Sequence, residues 1–161
     1  EIPLRLVGSE MCIRDRNEII RPDLLKKEYY TITVGIPQSG RFTAWWEHDE
    51  KNNKVSIHAH QSQDERRKQI ITDVDVLRTA GPFALCKIGL VTGRTHQIRV
   101  QFASRRHPLY GDGKYGSRQK GSIALQSCGL RFVHPDTGKP MAFSLPLPAA
   151  APWKEFLELG E

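Results

Sequence analysis

Between Leu90 and Gly116, LVTGRTHQIRVQFASRRHPLYGDGKYG, the chain concentrates side chains whose chemistry needs a specific partner: Arg94, His96, Gln97, Arg99, Arg105, Arg106 and Lys114. Guanidinium groups suit carboxylate and phosphate recognition, because their planar fork matches both. Thr92-Gly93 is a turn signal after the apolar run Phe83 to Val91, and Thr95 reads as the N-cap of a helix starting at His96. On that helix Ile98 and Phe102 face the core one turn apart, while Arg99, Ala103 and Arg106 form the neighbouring row. Arg99 therefore lies at the edge of the buried stripe. An unpaired charge there is too costly, so the fold must bring it a carboxylate or a phosphate.

Other constellations are weaker. Gly111-x-Gly113-x-x-Gly116 spells a dinucleotide fingerprint, but that mechanism needs a strand before it and an apolar helix after it, and the sequence offers neither. His58 and His60 share a strand face without a third convergent ligand, so no metal site is expected.

Gly93-Arg94-Thr95-His96-Gln97-Ile98-Arg99, then His107-Pro108-Leu109-Tyr110-Gly111-Asp112 and Tyr115-Gly116, closely resembles a signature of the RluA family of RNA pseudouridine synthases. Lys27-Glu28-Tyr29 entering a strand fits the same family, as do Leu130 to Pro135, Thr137-Gly138 and Leu145-Pro146-Leu147-Pro148. The resemblance runs from about Lys26 to Phe156. It implies cofactor-free isomerisation of uridine in ribosomal or transfer RNA. It also implies that Tyr29 lines the uracil pocket, since a flat ring is a platform for an extruded base. Arg99 is then the arginine that pairs with the catalytic aspartate, and Arg94, His96, Gln97, Arg105, Arg106 and Lys114 are the RNA-binding candidates. The family's aspartate motif, of the type Arg-Leu-Asp-x-x-Thr-Ser-Gly, occurs nowhere in the chain. Arg99 is therefore expected to lack its intended counterion, and the chain to be an inactive fragment of an enzyme. The competing reading is a noncatalytic RNA-binding module.

Residues 1–16 show neither helical nor strand periodicity and read as a non-native leader, with 17–161 as a partial catalytic domain. Asp15 does not replace the missing aspartate, because no Thr-Ser-Gly follows it; it reads as a solvated surface acid. A length of 161 residues fits one domain, with 39% apolar and 26% charged residues. The net charge of +6 suits a polyanionic partner. Cys12, Cys86 and Cys128 are odd in number and widely spaced, which suggests reduced thiols in a cytoplasmic protein. No apolar run is long enough to span a bilayer. A monomer without metal or membrane partners is expected.

The elements that must position these residues follow from alternation. Strands are expected at Glu28 to Val34, Phe42 to His48, Val55 to Ile57, Ile70 to Leu77, Phe83 to Val91, Ile123 to Val133 and Met141 to Leu145. Gly81-Pro82 is a hairpin turn, and Pro152 opens a short C-terminal helix carrying Trp153, Phe156, Leu157 and Leu159. Many strands with few helices predict an α+β fold with a mostly antiparallel mixed sheet, of the pseudouridine synthase catalytic-domain type in part.

Overall fold

Alternation along Lys26–Val34 makes this strand, β1, two-faced: Tyr29, Thr31 and Thr33 point one way, Tyr30, Ile32 and Val34 the other. The computed structural model describes residues 25–49, 51–52, 54–62, 66–134 and 137–157. The strands after β1 are β2 (Gly40–Asp49), β3 (Lys54–His58), β4 (Lys68–Ala80), β5 (Phe83–Leu90), β6 (Leu125–Val133) and β7 (Pro140–Ser144). They form one seven-stranded sheet in the order β3-β2-β4-β5-β1-β6-β7, and every strand pair in it is antiparallel. The α+β expectation therefore holds. β2 and β4 run longer than the alternation indicates, because backbone pairing continues past the last apolar residue. The expected leader, residues 1–16, and Leu159 lie outside the described residues.

The two faces of the sheet carry separate cores. On one, helix α1 (Gln97–Ser104) lays Ile98 and Phe102 over Val74, Ala84, Cys86 and Ile88, with Leu109 beside them and Tyr29 and Phe42 at the margin. On the other, Trp153 and Phe156 of the C-terminal turn and of helix α2 (Lys154–Leu157) cover Ile32, Leu85 and Ala124. Phe102 and Phe156 have essentially no exposed surface, so each stabilises the sheet by about 2 kcal/mol or more through removal of apolar area from water.

Two irregularities matter for the site. β1 and β6 lose step between Glu28 and Tyr29, so that Glu28 faces Gly129, Tyr29 faces Ser127, and Cys128 is the extra residue of a bulge. The upper half of β1, where β6 has ended, is completed by a loop: Val34 N–H donates to the Pro108 carbonyl (2.9 Å) and Tyr110 N–H to that of Ile32 (2.8 Å). Pro108 to Tyr110 is thus a surrogate strand, satisfying backbone groups that would otherwise be buried unpaired.

Candidate functional site

Arg99 projects from α1 onto Asp112. Its Nε donates to Asp112 Oδ2 and its Nη2 to Oδ1, both at 2.7 Å. The Asp112 side chain is wholly buried and that of Arg99 is 16% exposed. The hydrogen bonds from the guanidinium to Asp112 hold its proton more firmly than usual. Arg99 is thus not left without an anion: the chain supplies a carboxylate thirteen residues downstream, outside any Arg-Leu-Asp-x-x-Thr-Ser-Gly motif.

The turn that delivers Asp112 is made by Gly111. Its φ of 76° is left-handed, and a Cβ there would collide with the Ser122 carbonyl, so only glycine fits. After this turn Asp112 drops inward, and a single 3-10 turn, Gly113–Tyr115, follows. That turn places the Tyr115 ring under the Arg99 guanidinium, 4.9 Å from its centroid. The Tyr115 hydroxyl lies 2.9 Å from His96 Nδ1. Arg99 is thus gripped on one edge by a carboxylate and on one face by an aromatic ring.

Three sequence assignments change. The helix begins at Gln97, not His96, and Thr95 does not cap it: His96 sits before it with φ 55° and makes no side-chain cap bond. The Thr95 carbonyl instead accepts from Trp46 Nε1 at 3.0 Å. Gln97 is buried and its amide is spent internally, accepting from the Thr92 hydroxyl and Arg94 N–H and donating to the Ile71 carbonyl and Thr72 hydroxyl. It fastens α1 to β4 and has no surface to offer RNA. Arg105 lies over the Phe42 ring at 4.4 Å and donates to the carbonyls of Gln101 and Thr43. It ties α1 to β2 while remaining half-exposed.

Arg94, Arg106 and Lys114 are exposed as a polyanion contact requires. Sequence reading did not single out Arg118 and Lys120 beside them, and took Asp112 and Tyr115 only as letters of the signature. A count of charges shows the basic patch directly: from Val76 to Pro135 the only acid is Asp112, against ten lysines and arginines. With Asp112 occupied by Arg99, this whole stretch offers no free carboxylate. Tyr29 is half-buried on the face that α1 covers, packed against its core, and burial pushes its phenol above the usual range.

Elsewhere His58 Nε2 lies 3.2 Å from Glu47 Oε2 and 3.0 Å from the Ser56 hydroxyl, while His60 falls in a bend beyond β3. Among the described residues no three His, Cys, Asp or Glu side chains gather in a metal-binding group. Cys86 and Cys128 are free and buried, and burial pushes the Cys86 thiol up to about 12, far from a reactive thiolate. No helix among the described residues is long and apolar enough to cross a membrane.

The fold and the sequence have relatives among known proteins. A solved human structure, RNA Pseudouridylate Synthase Domain Containing 1, superposes with a TM-score of 0.68 at 20% identity, covering 94% of this chain and 71% of that one; at that identity the likeness shows the fold. Ribosomal large subunit pseudouridine synthase D of Pasteurella multocida is 30% identical over 155 residues, which is 85% of this chain and 44% of that protein. An uncharacterized RNA pseudouridine synthase of Chlorobaculum parvum is 34% identical over 145 residues, covering 77% of this chain and 44% of its own length. The chain spans less than half the length of these curated relatives. The family described as RNA pseudouridylate synthase matches residues 9–104. The HQIR helix, the glycine turn that feeds it a carboxylate, and this match together place the chain in the RNA pseudouridylate synthase family.

Proposed function

We propose that this chain forms the uracil-lining and RNA-holding part of an RluA-type pseudouridine synthase acting on ribosomal or transfer RNA. The observation that carries this is the buried Arg99–Asp112 pair, on the same side of the sheet as Tyr29. The reaction breaks the bond from uracil to ribose, turns the base, and rejoins it to the sugar through carbon. It is a net isomerisation and needs no added group.

Each part of the arrangement suits one step. A uracil must leave its stack to be turned, and Tyr29 supplies an aromatic wall with a neutral phenol. Asp112 uses two N–H groups of the Arg99 fork. The remaining three point elsewhere and suit a second carboxylate, which Arg99 would hold ionised and in a fixed direction. On this reading that second carboxylate is the family's aspartate, whose Arg-Leu-Asp-x-x-Thr-Ser-Gly type motif is absent from this sequence. The chain by itself is then inactive. In the alternative, a noncatalytic RNA-binding module, the same pair would be a strut of the fold with no second carboxylate to hold.

Tritium release from RNA labelled at uridine C5 separates the two. A longer product encoding the aspartate segment in frame should release tritium and the 161-residue chain should not. Release from this chain alone overturns its inactivity; no release from the longer product leaves the binding module.

A further inference from the structure

The end of α1 is unusual in a way the reaction does not explain. His107 N–H donates to the Phe102 carbonyl and Arg106 N–H to that of Ala103, both at 3.0 Å, a closing pattern that puts the residue after the C-cap in the left-handed region. Glycine is the favoured occupant there. Here it is Arg106, with φ 65°. A bulky residue kept in a glycine position is strain of the kind found where a side chain has work to do.

What Arg106 borders is a groove of about 470 Å³, walled also by Pro108, Tyr115, Ser117, Arg118 and Gln119. Among the described residues neither Arg106 nor Arg118 has a carboxylate within ion-pair distance, and Tyr115 is the wall between this groove and Arg99. The volume suits one nucleotide. We propose that this groove is a subsite for the RNA strand next to the target uridine, in which Arg106 and Arg118 hold consecutive backbone phosphates and Tyr115 separates the strand from the reacting base. The assignment rests on the RNA reading above. It adds Arg118, and it gives a reason for the strained arginine. RNA is favoured over a protein partner because the groove carries two cations with no carboxylate partner among the described residues and because, from Val76 to Pro135, the only acid, Asp112, is held by Arg99.

The test is fluorescence anisotropy with the 161-residue chain and a labelled single-stranded oligouridylate, repeated over a series of salt concentrations. Arg106→Gly relieves the left-handed backbone while removing the cation, so its melting temperature should hold or rise while affinity falls about fivefold. Arg118→Ala should lose affinity similarly, and each variant should flatten the plot of log affinity against log salt by about 0.7, one single-strand phosphate contact. Arg41→Ala is the control: Arg41 is ion-paired with Asp73, one residue from Phe42, on the sheet face away from α1. If the chain binds but neither groove variant alters affinity or slope, the subsite is wrong and the RNA reading stands. An equal loss for Arg41→Ala means diffuse charge, which also overturns the subsite. If the unaltered chain binds no RNA, both readings fall.

Discussion

Asp112 grips Arg99 by one edge of its fork, so the value of this arginine lies in direction as much as in charge. Arg99→Lys in a longer protein carrying the aspartate segment keeps the charge and loses the fork. Single-turnover rates should drop about a hundredfold, on the order of 3 kcal/mol in the barrier, with RNA affinity nearly unchanged. A near-normal rate would mean Arg99 is only a strut. His96 gives a pH test. Burial, then the nearby Arg99 and Lys114, lower its pKa below the ordinary 6.5. The unfolded chain therefore takes up the proton first. The stability tied to neutral His96 is whole above about 6.5 and is lost as pH falls through the lowered folded value. His96→Asn removes the titration and tolerates the left-handed backbone. Urea titrations should show it losing less stability than the parent as pH falls, and parallel losses would show that His96 does not titrate in this way. The need of Arg99 for an anion was legible in the sequence. The anion was not, because Asp112 reaches it only through a turn whose geometry depends on the distant Ser122 carbonyl.

Helix α1 was legible from the Ile98 and Phe102 period, and its start was not. Thr95 has the chemistry of a cap, but Trp46 on another strand claims its carbonyl, and local propensity yields to that contact. The internal bonds of Gln97 and Arg105 were not legible for a related reason. Polar residues beside a basic motif look like surface until the fold shows backbone carbonyls waiting for them. The strands were read well because alternation is local, and only their ends, set by neighbouring strands, moved. Two substitutions test the elements. Phe102→Ala empties the centre of the core under α1 and should cost about 3–5 kcal/mol in denaturant titration. Gly111→Ala meets both a left-handed φ and the Ser122 carbonyl, so it should cost more than about 1 kcal/mol and loosen Asp112 from Arg99. A neutral result would show that the turn relaxes without moving Asp112.

At the scale of the molecule, charge is sorted by position. On the face away from α1, cations are balanced within the sheet, with Arg41 on Asp73 and both Lys87 and Arg131 on Glu28. Among the described residues the loops around α1 carry one acid, Asp112, and Arg99 takes it. Lys114→Ala should therefore weaken RNA binding and reduce its salt dependence by about 0.7 in log–log slope, with turnover at saturating RNA preserved in the longer protein. An unchanged slope would place Lys114 off the RNA path. The bulge at Cys128 carries a different consequence. β6 has one residue more than β1 can count, and the surplus falls between the partners of Glu28 and Tyr29. Removing Cys128 would leave each of those pairings in frame, as a spare digit can be struck without changing the columns on either side. What it would remove is the local twist that a bulge adds. The twist of the sheet beside Tyr29 is thus set partly by the neighbouring strand, one residue of which carries no pairing with β1.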